Sequence, residues 1–176
     1  MKKLFFYCLI ITCFTYAQNQ RGYIVNVGEK APIFEKSKNS IINELAKYKG
    51  KVIMLQFTAS WCSVCIKEMP VIEKEIWEVH KENSDFVLIA LAKDTKKRPQ
   101  KEKEIQFMTN KTKVTYPIIT DYNSEVFELF AEEKAGVTRN VIIDKKGQIA
   151  FLTRLFDREE FNAMKENIDK LLIKKN

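Results

Sequence analysis

Cys62 and Cys65 are the residues of this 176-residue chain whose types and spacing most directly suggest chemistry. An apolar, partly β-branched run precedes them at residues 52–57, and a helical pattern follows at residues 66–81, so they lie at a strand-to-helix turn. The first turn of a helix offers free N–H groups and the positive end of the helix dipole, which favour a thiolate there. The i, i+3 spacing lets a disulfide close with little backbone movement. We therefore predict redox chemistry, with Cys62 as the exposed nucleophile and Cys65 as the deeper resolving thiol.

Two other uses of a Cys-x-x-Cys pair compete with this prediction. The pair could supply half of a zinc site, but a structural zinc ion takes four protein ligands. The other two cysteines, Cys8 and Cys13, lie in an N-terminal segment of different character, and the one histidine of the chain is His80. The pair could also be a structural bridge, but a bridge that closes so short a loop restricts the unfolded chain little. Redox chemistry remains the favoured interpretation.

The N-terminal segment has the pattern of a secretory signal peptide. A basic start is followed by a largely apolar stretch at residues 4–14 and then by Ala17, a small residue suited to cleavage. The apolar stretch is shorter than the ~20 residues that a membrane-spanning helix needs. Lipid attachment at Cys13 is an alternative, although the preceding threonine fits it poorly. We predict a signal peptide over residues 1–17, a mature domain over residues 18–176 and a location in the periplasm.

Composition and charge exclude several other classes of protein. A hydrophobic content of 45% with 11% aromatic residues is too high for a disordered chain and is enough for one packed domain. The formal net charge is +7, and the basic residues are densest at residues 93–103, where Asp94 and Glu102 interrupt them and Glu104 follows them. Such a mixed run is typical of a solvated loop and helix face, so we predict no nucleic-acid partner.

Strand and helix patterns alternate along the chain. The predicted strands are residues 52–57, 86–91, 116–119, 140–144 and 149–153, and the predicted helices are residues 40–48, 66–81, 101–111, a short one after Ser124, and 158–174. Ser40 and Ser124 are the expected helix caps, and Pro70 is the expected site of a kink. Val79 and Phe107 are expected to face the core. This order predicts an α/β fold with a mixed central β-sheet flanked by helices.

Several short motifs together match a known family. They are Gly-Glu-Lys-Ala-Pro-Ile-Phe at residues 28–34, Ala-Ser-Trp-Cys-Ser-Val-Cys at 59–65, Glu-Met-Pro at 68–70, Tyr-Pro at 116–117 and Val-Ile-Ile-Asp-Lys-Lys-Gly at 141–147. From residue 28 to the C-terminus the chain resembles the TlpA/ResA-like thiol–disulfide oxidoreductases, exported members of the thioredoxin superfamily. The resemblance implies a thioredoxin-like fold with an N-terminal extension and an inserted strand–helix. It also implies a periplasmic disulfide reductase without a cofactor, which acts on exported protein thiols and disulfides and is reduced by a membrane or periplasmic thiol donor.

The resemblance also suggests which residues surround the cysteines. Glu68 matches an acidic residue close to the family's active site and could relay a proton to or from Cys65, although an ordinary solvated glutamate would have the same spacing. Trp61 is expected to shelter the thiol pair, or to be a core aromatic residue at the end of a strand. Arg139 could add positive charge near Cys62, and a surface arginine is the other interpretation.

Thr138 is the point at which the chain departs from the family. The family usually has a cis-proline here, facing the cysteines. A cis bond before a residue other than proline costs about 3 kcal/mol, so we expect a trans bond between Val137 and Thr138. A Thr-Arg pair just before a strand resembles the corresponding segment of peroxiredoxins. A threonine also leaves more room beside the sulfurs than a proline would. Copper handling by Cys62 and Cys65 and thiol peroxidase activity therefore stay as alternatives to disulfide reduction.

Overall fold

A single five-stranded sheet organises the domain. The computed structural model describes residues 21–35 and 37–173, and its strands are β1 (Val52–Thr58), β2 (Phe86–Lys93), β3 (Ile118–Asp121), β4 (Arg139–Ile143) and β5 (Ile149–Arg154). The strand order is β3-β2-β1-β4-β5. β1 runs parallel to β2, and β2 runs parallel to β3, whereas β4 is antiparallel to both β1 and β5. The predicted mixed sheet is therefore confirmed.

The helices cover both faces of this sheet. They are α1 (Ser40–Ala46), α2 (Ser63–Ile72), α3 (Glu78–His80), α4 (Glu102–Thr112) and α5 (Arg158–Ile173), with 3-10 turns at Pro32–Phe34, Tyr122–Ser124 and Phe127–Leu129. One core contains side chains from residues 23–45 and 126–137 on one face of the sheet, and the other contains side chains from α2, α4 and α5. All seven residues of β1 are buried between these two cores, which explains its nearly continuous apolar sequence.

The helix after the cysteines is interrupted rather than simply kinked. α2 contains Pro70, and a π-helical segment, Glu73–Trp77, joins α2 to α3. Proline lacks the N–H that would continue the regular ladder, and a π segment is one way for a helix to absorb that loss. The wider π turn also rotates the residues that follow it around the helix axis. Val79 is consequently 65% exposed, so its predicted core position is wrong.

Three further local predictions are wrong. The cap of α1 is Asn39, not Ser40, because the Asn39 side chain accepts hydrogen bonds from the backbone N–H groups of the first turn. No α-helix begins at Ser124; residues 122–129 contain two 3-10 turns instead, and the buried Asp121 carboxylate accepts hydrogen bonds from the N–H groups of residues 126 and 127 at 2.8 Å. Phe107 on α4 is 48% exposed rather than buried.

The N-terminal residues of the described chain form an arm along the sheet, here defined as residues 21–31. Tyr23 bridges to Ala131, and Lys30 bridges to Gln148 in the turn between β4 and β5. The backbone N–H of Gly28 donates to the carbonyl of Ile149 at 2.8 Å. The predicted signal peptide and Cys13 lie outside the described residues. Within residues 21–35 and 37–173, no helix is long and apolar enough to cross a membrane.

Candidate active site

The two cysteines lie where β1 passes into α2. β1 ends at Thr58, and Cys62 is the N-cap of α2 with an extended backbone, so its side chain points back over the first helical turn. The backbone N–H of Cys65 lies 3.1 Å from the Cys62 sulfur, and the two sulfurs are joined as a disulfide. Cys62 is 8% exposed and Cys65 is fully buried. This geometry favours a thiolate at Cys62, because the helix dipole and a free N–H both point at its sulfur.

Thr138 faces both cysteines. Its Oγ1 lies 3.2 Å from the Sγ of Cys62 and 3.2 Å from the Sγ of Cys65. No peptide bond in the described part of the chain is cis, so the bond between Val137 and Thr138 is trans, as expected. The Thr138 carbonyl accepts a hydrogen bond of 3.1 Å from the N–H of Leu155, which ties the residue to the end of β5. A hydroxyl therefore occupies the position beside the sulfurs.

Glu68 is buried on the sheet side of α2. It follows Cys65 by three residues, is 1% exposed, and accepts a hydrogen bond of 2.8 Å at Oε1 from the side-chain amide of Asn140. The interpretation of Glu68 as a solvated glutamate is therefore wrong. Burial raises its pKa to about 7, and the hydrogen bond from Asn140 opposes that rise. A carboxyl group with such a pKa can both hold and release a proton near neutral pH.

Two buried amides belong to the same polar cluster as this carboxyl group, and the sequence pattern did not predict either of them. Gln56 on β1 and Asn140 on β4 are paired across the two strands, and both are fully buried. The Tyr116 hydroxyl donates to Gln56 Oε1 at 2.9 Å, and the Asn140 amide also donates to the Thr153 hydroxyl at 2.9 Å. The signal that could have revealed these amides is a polar side chain inside an otherwise apolar strand. Such a group needs a buried partner.

Arg139 lies on the opposite side of β4 from Asn140. It is only 1% exposed, so its interpretation as a surface arginine is wrong. Its guanidinium donates to the carbonyl of Arg21 at 2.7 Å and lies 4.5 Å from the centre of the Tyr23 ring. Burial lowers its pKa. These contacts are with the arm rather than with the sulfurs, so a role for Arg139 at Cys62 stays a prediction.

Trp61 immediately precedes Cys62. It is 44% exposed, and the Arg98 guanidinium carbon lies 4.3 Å from the centre of its ring. Trp61 is therefore a surface residue beside the disulfide rather than a core aromatic residue. Within the described parts of the chain, no three His, Cys, Asp or Glu side chains converge as metal ligands would.

The fold and this pair of cysteines together define a class. A mixed sheet with a Cys-x-x-Cys pair at the start of the helix that follows a central strand is the arrangement of thioredoxin-like thiol–disulfide oxidoreductases, as predicted. The chain belongs to the Redoxin family, whose profile matches residues 26–172. Its membership of the TlpA/ResA-like group is supported by the following similarities to individual proteins.

Two curated relatives represent these similarities. The chain is 31% identical to the thioredoxin-like protein YneN of Bacillus subtilis over 61% of this chain, and it spans 59% of that protein. It is 27% identical to the thiol-disulfide oxidoreductase ResA of Geobacillus kaustophilus, over 82% of this chain and 79% of ResA.

Two solved structures have the same fold. A candidate protein disulfide isomerase from Bacteroides thetaiotaomicron, solved in solution, is 43% identical with a TM-score of 0.75, covering 87% of this chain and 94% of that one. The thioredoxin domain of a thiol-disulfide oxidoreductase from Bacteroides vulgatus is 18% identical with a TM-score of 0.58, covering 82% of this chain and 99% of that one, and it supports the fold alone.

Proposed function

We propose that this protein is an exported disulfide reductase, which reduces disulfides of other exported proteins through Cys62 and Cys65. The observation that carries this proposal is the asymmetry of the two sulfurs. Cys62 caps a helix and keeps 8% of its surface exposed, less than the sequence predicted, whereas Cys65 is fully buried one turn further along, on the side of the helix that carries a buried acid. Export is supported by the signal-peptide pattern of residues 1–17 and by a mature segment that holds just one cysteine pair.

The reaction would proceed in two displacements. The Cys62 thiolate attacks one sulfur of the substrate disulfide, the substrate S–S bond breaks, and the departing substrate sulfur takes up a proton from water. Cys65 then loses its proton and attacks the Cys62 sulfur. This second step releases the other substrate sulfur as a thiol and leaves the Cys62–Cys65 disulfide. A dithiol donor restores the reduced protein by the same exchange in reverse.

Glu68 and Thr138 would assist different steps of this exchange. The pKa of Glu68, raised to about 7, suits a group that accepts the proton of the buried Cys65 thiol before the second displacement. The Thr138 hydroxyl can donate a hydrogen bond to the Cys62 thiolate and so favour its formation. The helix dipole acts in the same direction.

The roles of the two cysteines can be tested by trapping. Cys65→Ser should accumulate a mixed disulfide with an oxidised protein substrate, because the resolving thiol is missing, and Cys62→Ser is the matched control that should accumulate none. Alkylation of the reduced protein at limiting reagent should label Cys62 before Cys65. Preferential labelling of Cys65, or trapping by Cys62→Ser, would contradict the assignment.

The direction of the reaction is a separate measurement. We expect a reduction potential nearer the ~−270 mV of thioredoxin than the ~−120 mV of a strong oxidant such as DsbA. Equilibration with glutathione buffers gives the value. A potential at the oxidising end would make the protein an oxidase, and consumption of peroxide at a comparable rate would favour a thiol peroxidase.

A further inference from the structure

A basic loop is fixed directly against the active-site turn. This loop, residues 94–101, contains Lys96, Lys97, Arg98 and Lys101, which are all exposed. The side chain of Gln100 is 1% exposed and accepts a hydrogen bond of 2.8 Å from the N–H of Ser60, two residues before Cys62. Arg98 stacks on Trp61 at 4.3 Å. The basic loop is therefore part of the rim of the disulfide site.

The acidic residues in and next to the basic loop accept hydrogen bonds from groups of the same segment. Asp94 accepts a hydrogen bond of 2.7 Å from the N–H of Gln100, and Glu104 accepts one of 3.0 Å from the N–H of Lys101. Glu102 accepts from the side-chain amide of Gln106 at 3.0 Å. Among the residues that the structure describes, no carboxylate pairs with Lys96, Lys97, Arg98 or Lys101 within 4.0 Å. The three lysines are therefore exposed without an ionic partner among the described residues, whereas Arg98 lies over the Trp61 ring.

We propose that the basic loop docks the substrate, and that this substrate is a protein whose disulfide is flanked by acidic residues. The inference rests on the proposed reductase function and adds a substrate class to it. Charges on the rim of a site act mainly on the rate of encounter, and they act within about one Debye length, ~8 Å at physiological ionic strength. A group held by the basic loop lies beside Trp61 and therefore beside Cys62. A protein disulfide can react there, whereas a nucleic acid or a lipid surface offers nothing to reduce.

Three cyclic peptides separate the effect of substrate charge from the effect of the reactivity of the disulfide. They share one disulfide ring and differ in flanking residues, which are acidic, neutral or basic. The double variant Lys96→Glu/Lys97→Glu inverts two charges of the basic loop without touching its anchors, Arg98 and Gln100. The control Lys49→Glu/Lys146→Glu makes the same change in net charge at two exposed lysines. Lys49 lies just before the start of β1 and Lys146 just after the end of β4, whereas the cysteines follow the end of β1.

The wild-type protein should reduce the acidic peptide fastest at low ionic strength. The loop variant should lose roughly fivefold in kcat/KM for the acidic peptide and change less than about twofold for the neutral peptide. In ~0.5 M salt, the difference between the loop variant and the wild type on the acidic peptide should largely disappear, because salt screens the charges. The control variant should keep the wild-type preference.

Other outcomes would overturn the docking proposal. They are an equal loss in the control variant, a parallel loss for the neutral peptide, and no preference for the acidic peptide in the wild type. Charge-dependent binding of RNA or of anionic vesicles by the basic loop, without discrimination among the peptides, would also overturn it in favour of a different partner. If the wild type fails to reduce even the neutral peptide, the reductase function itself fails, and this result differs from all the others.

Discussion

The side-chain amide of Asn140 donates a 2.8 Å hydrogen bond to the carboxyl group of Glu68 inside the core. Asn140 belongs to β4 and Glu68 to α2, so this contact joins the active-site helix to the central sheet. Thr138, two residues before Asn140, contacts both sulfurs. Because side chains two apart on an extended chain share a face, one short stretch supports both the sulfurs and the acid. The chemistry of the pair is thus coupled to β4 as well as to the helix dipole.

Glu68→Gln should stabilise the protein at alkaline pH. The carboxyl group has a pKa of about 7 in the folded protein and 4.5 as its ordinary value, so between these values the folded state holds a proton that the unfolded state has lost. Raising the pH through this window therefore removes stability from the wild type. Glutamine resembles the protonated acid and avoids this loss. The gain should be near zero at pH ~4 and reach at most about 3 kcal/mol above pH ~8.

Urea denaturation at several pH values measures this gain. Glu78→Gln removes an exposed carboxyl group further along the same helical segment and controls for the change in net charge. A gain for Glu68→Gln that does not vary between pH ~4 and ~8 would show that Glu68 titrates normally in the folded state.

Asn140→Leu should raise the pKa of Glu68 further. The amide donates to the carboxyl group and so stabilises its ionised form, and leucine has a similar size but no donor. We expect an upward shift of about half a unit to one unit, measured by infrared or NMR titration of the Glu68 carboxyl group. The pH at which Cys65 resolves a mixed disulfide should rise with it. Thr153→Val removes the other hydrogen-bond partner of the Asn140 amide and should have the smaller effect.

Thr138→Val should raise the pKa of Cys62. Valine keeps the branched shape and removes the hydroxyl that lies 3.2 Å from the sulfur. The loss of one hydrogen bond to a charged group predicts a rise between a fraction of a unit and about one unit. The ultraviolet absorbance of the thiolate against pH measures it. The control is Thr112→Val, which removes a buried hydroxyl that bonds instead to the carbonyl of Met108. Identical curves for Thr138→Val and the wild type would place the hydroxyl away from the reduced sulfur.

Gly22→Ala should destabilise the fold through Arg139. A methyl group at Gly22 would lie 2.9 Å from the Arg139 guanidinium, and the backbone has a φ of +75°. Gly28→Ala is a matched control, because its φ is +93° but no atom lies within 4 Å of the new methyl group. We expect Gly22→Ala to cost about 1–2 kcal/mol more than the control in urea denaturation. Arg139→Met in the Gly22→Ala background should recover part of this difference. Additive effects of the two substitutions would contradict a direct contact.

Local patterns predicted the strands, the position of the cysteine pair and the trans bond before Thr138, because these depend on neighbouring residues. The failures have two kinds of cause, a local irregularity of the helix and contacts between residues far apart in the chain. Val79 faces solvent because a π segment changes the helical phase ahead of it. Arg139 is buried because Gly22 leaves room for it, and Gln56 meets Asn140 only through the register of β1 against β4. No spacing within a single segment contains that information.

The arm has a consequence for the behaviour of the protein in concentrated solution. β5 is an edge strand, and an unpaired edge is a template for pairing with another chain. The backbone N–H and carbonyl of Ile149 on β5 are instead bonded to Glu29 and Gly28 of the arm, and Tyr23 bonds to the carbonyl of Thr153 further along the same strand. A chain whose arm is cut or displaced would present this edge to its neighbours. Aggregation between copies, more than loss of redox activity, would then be the first sign of damage at the N-terminus.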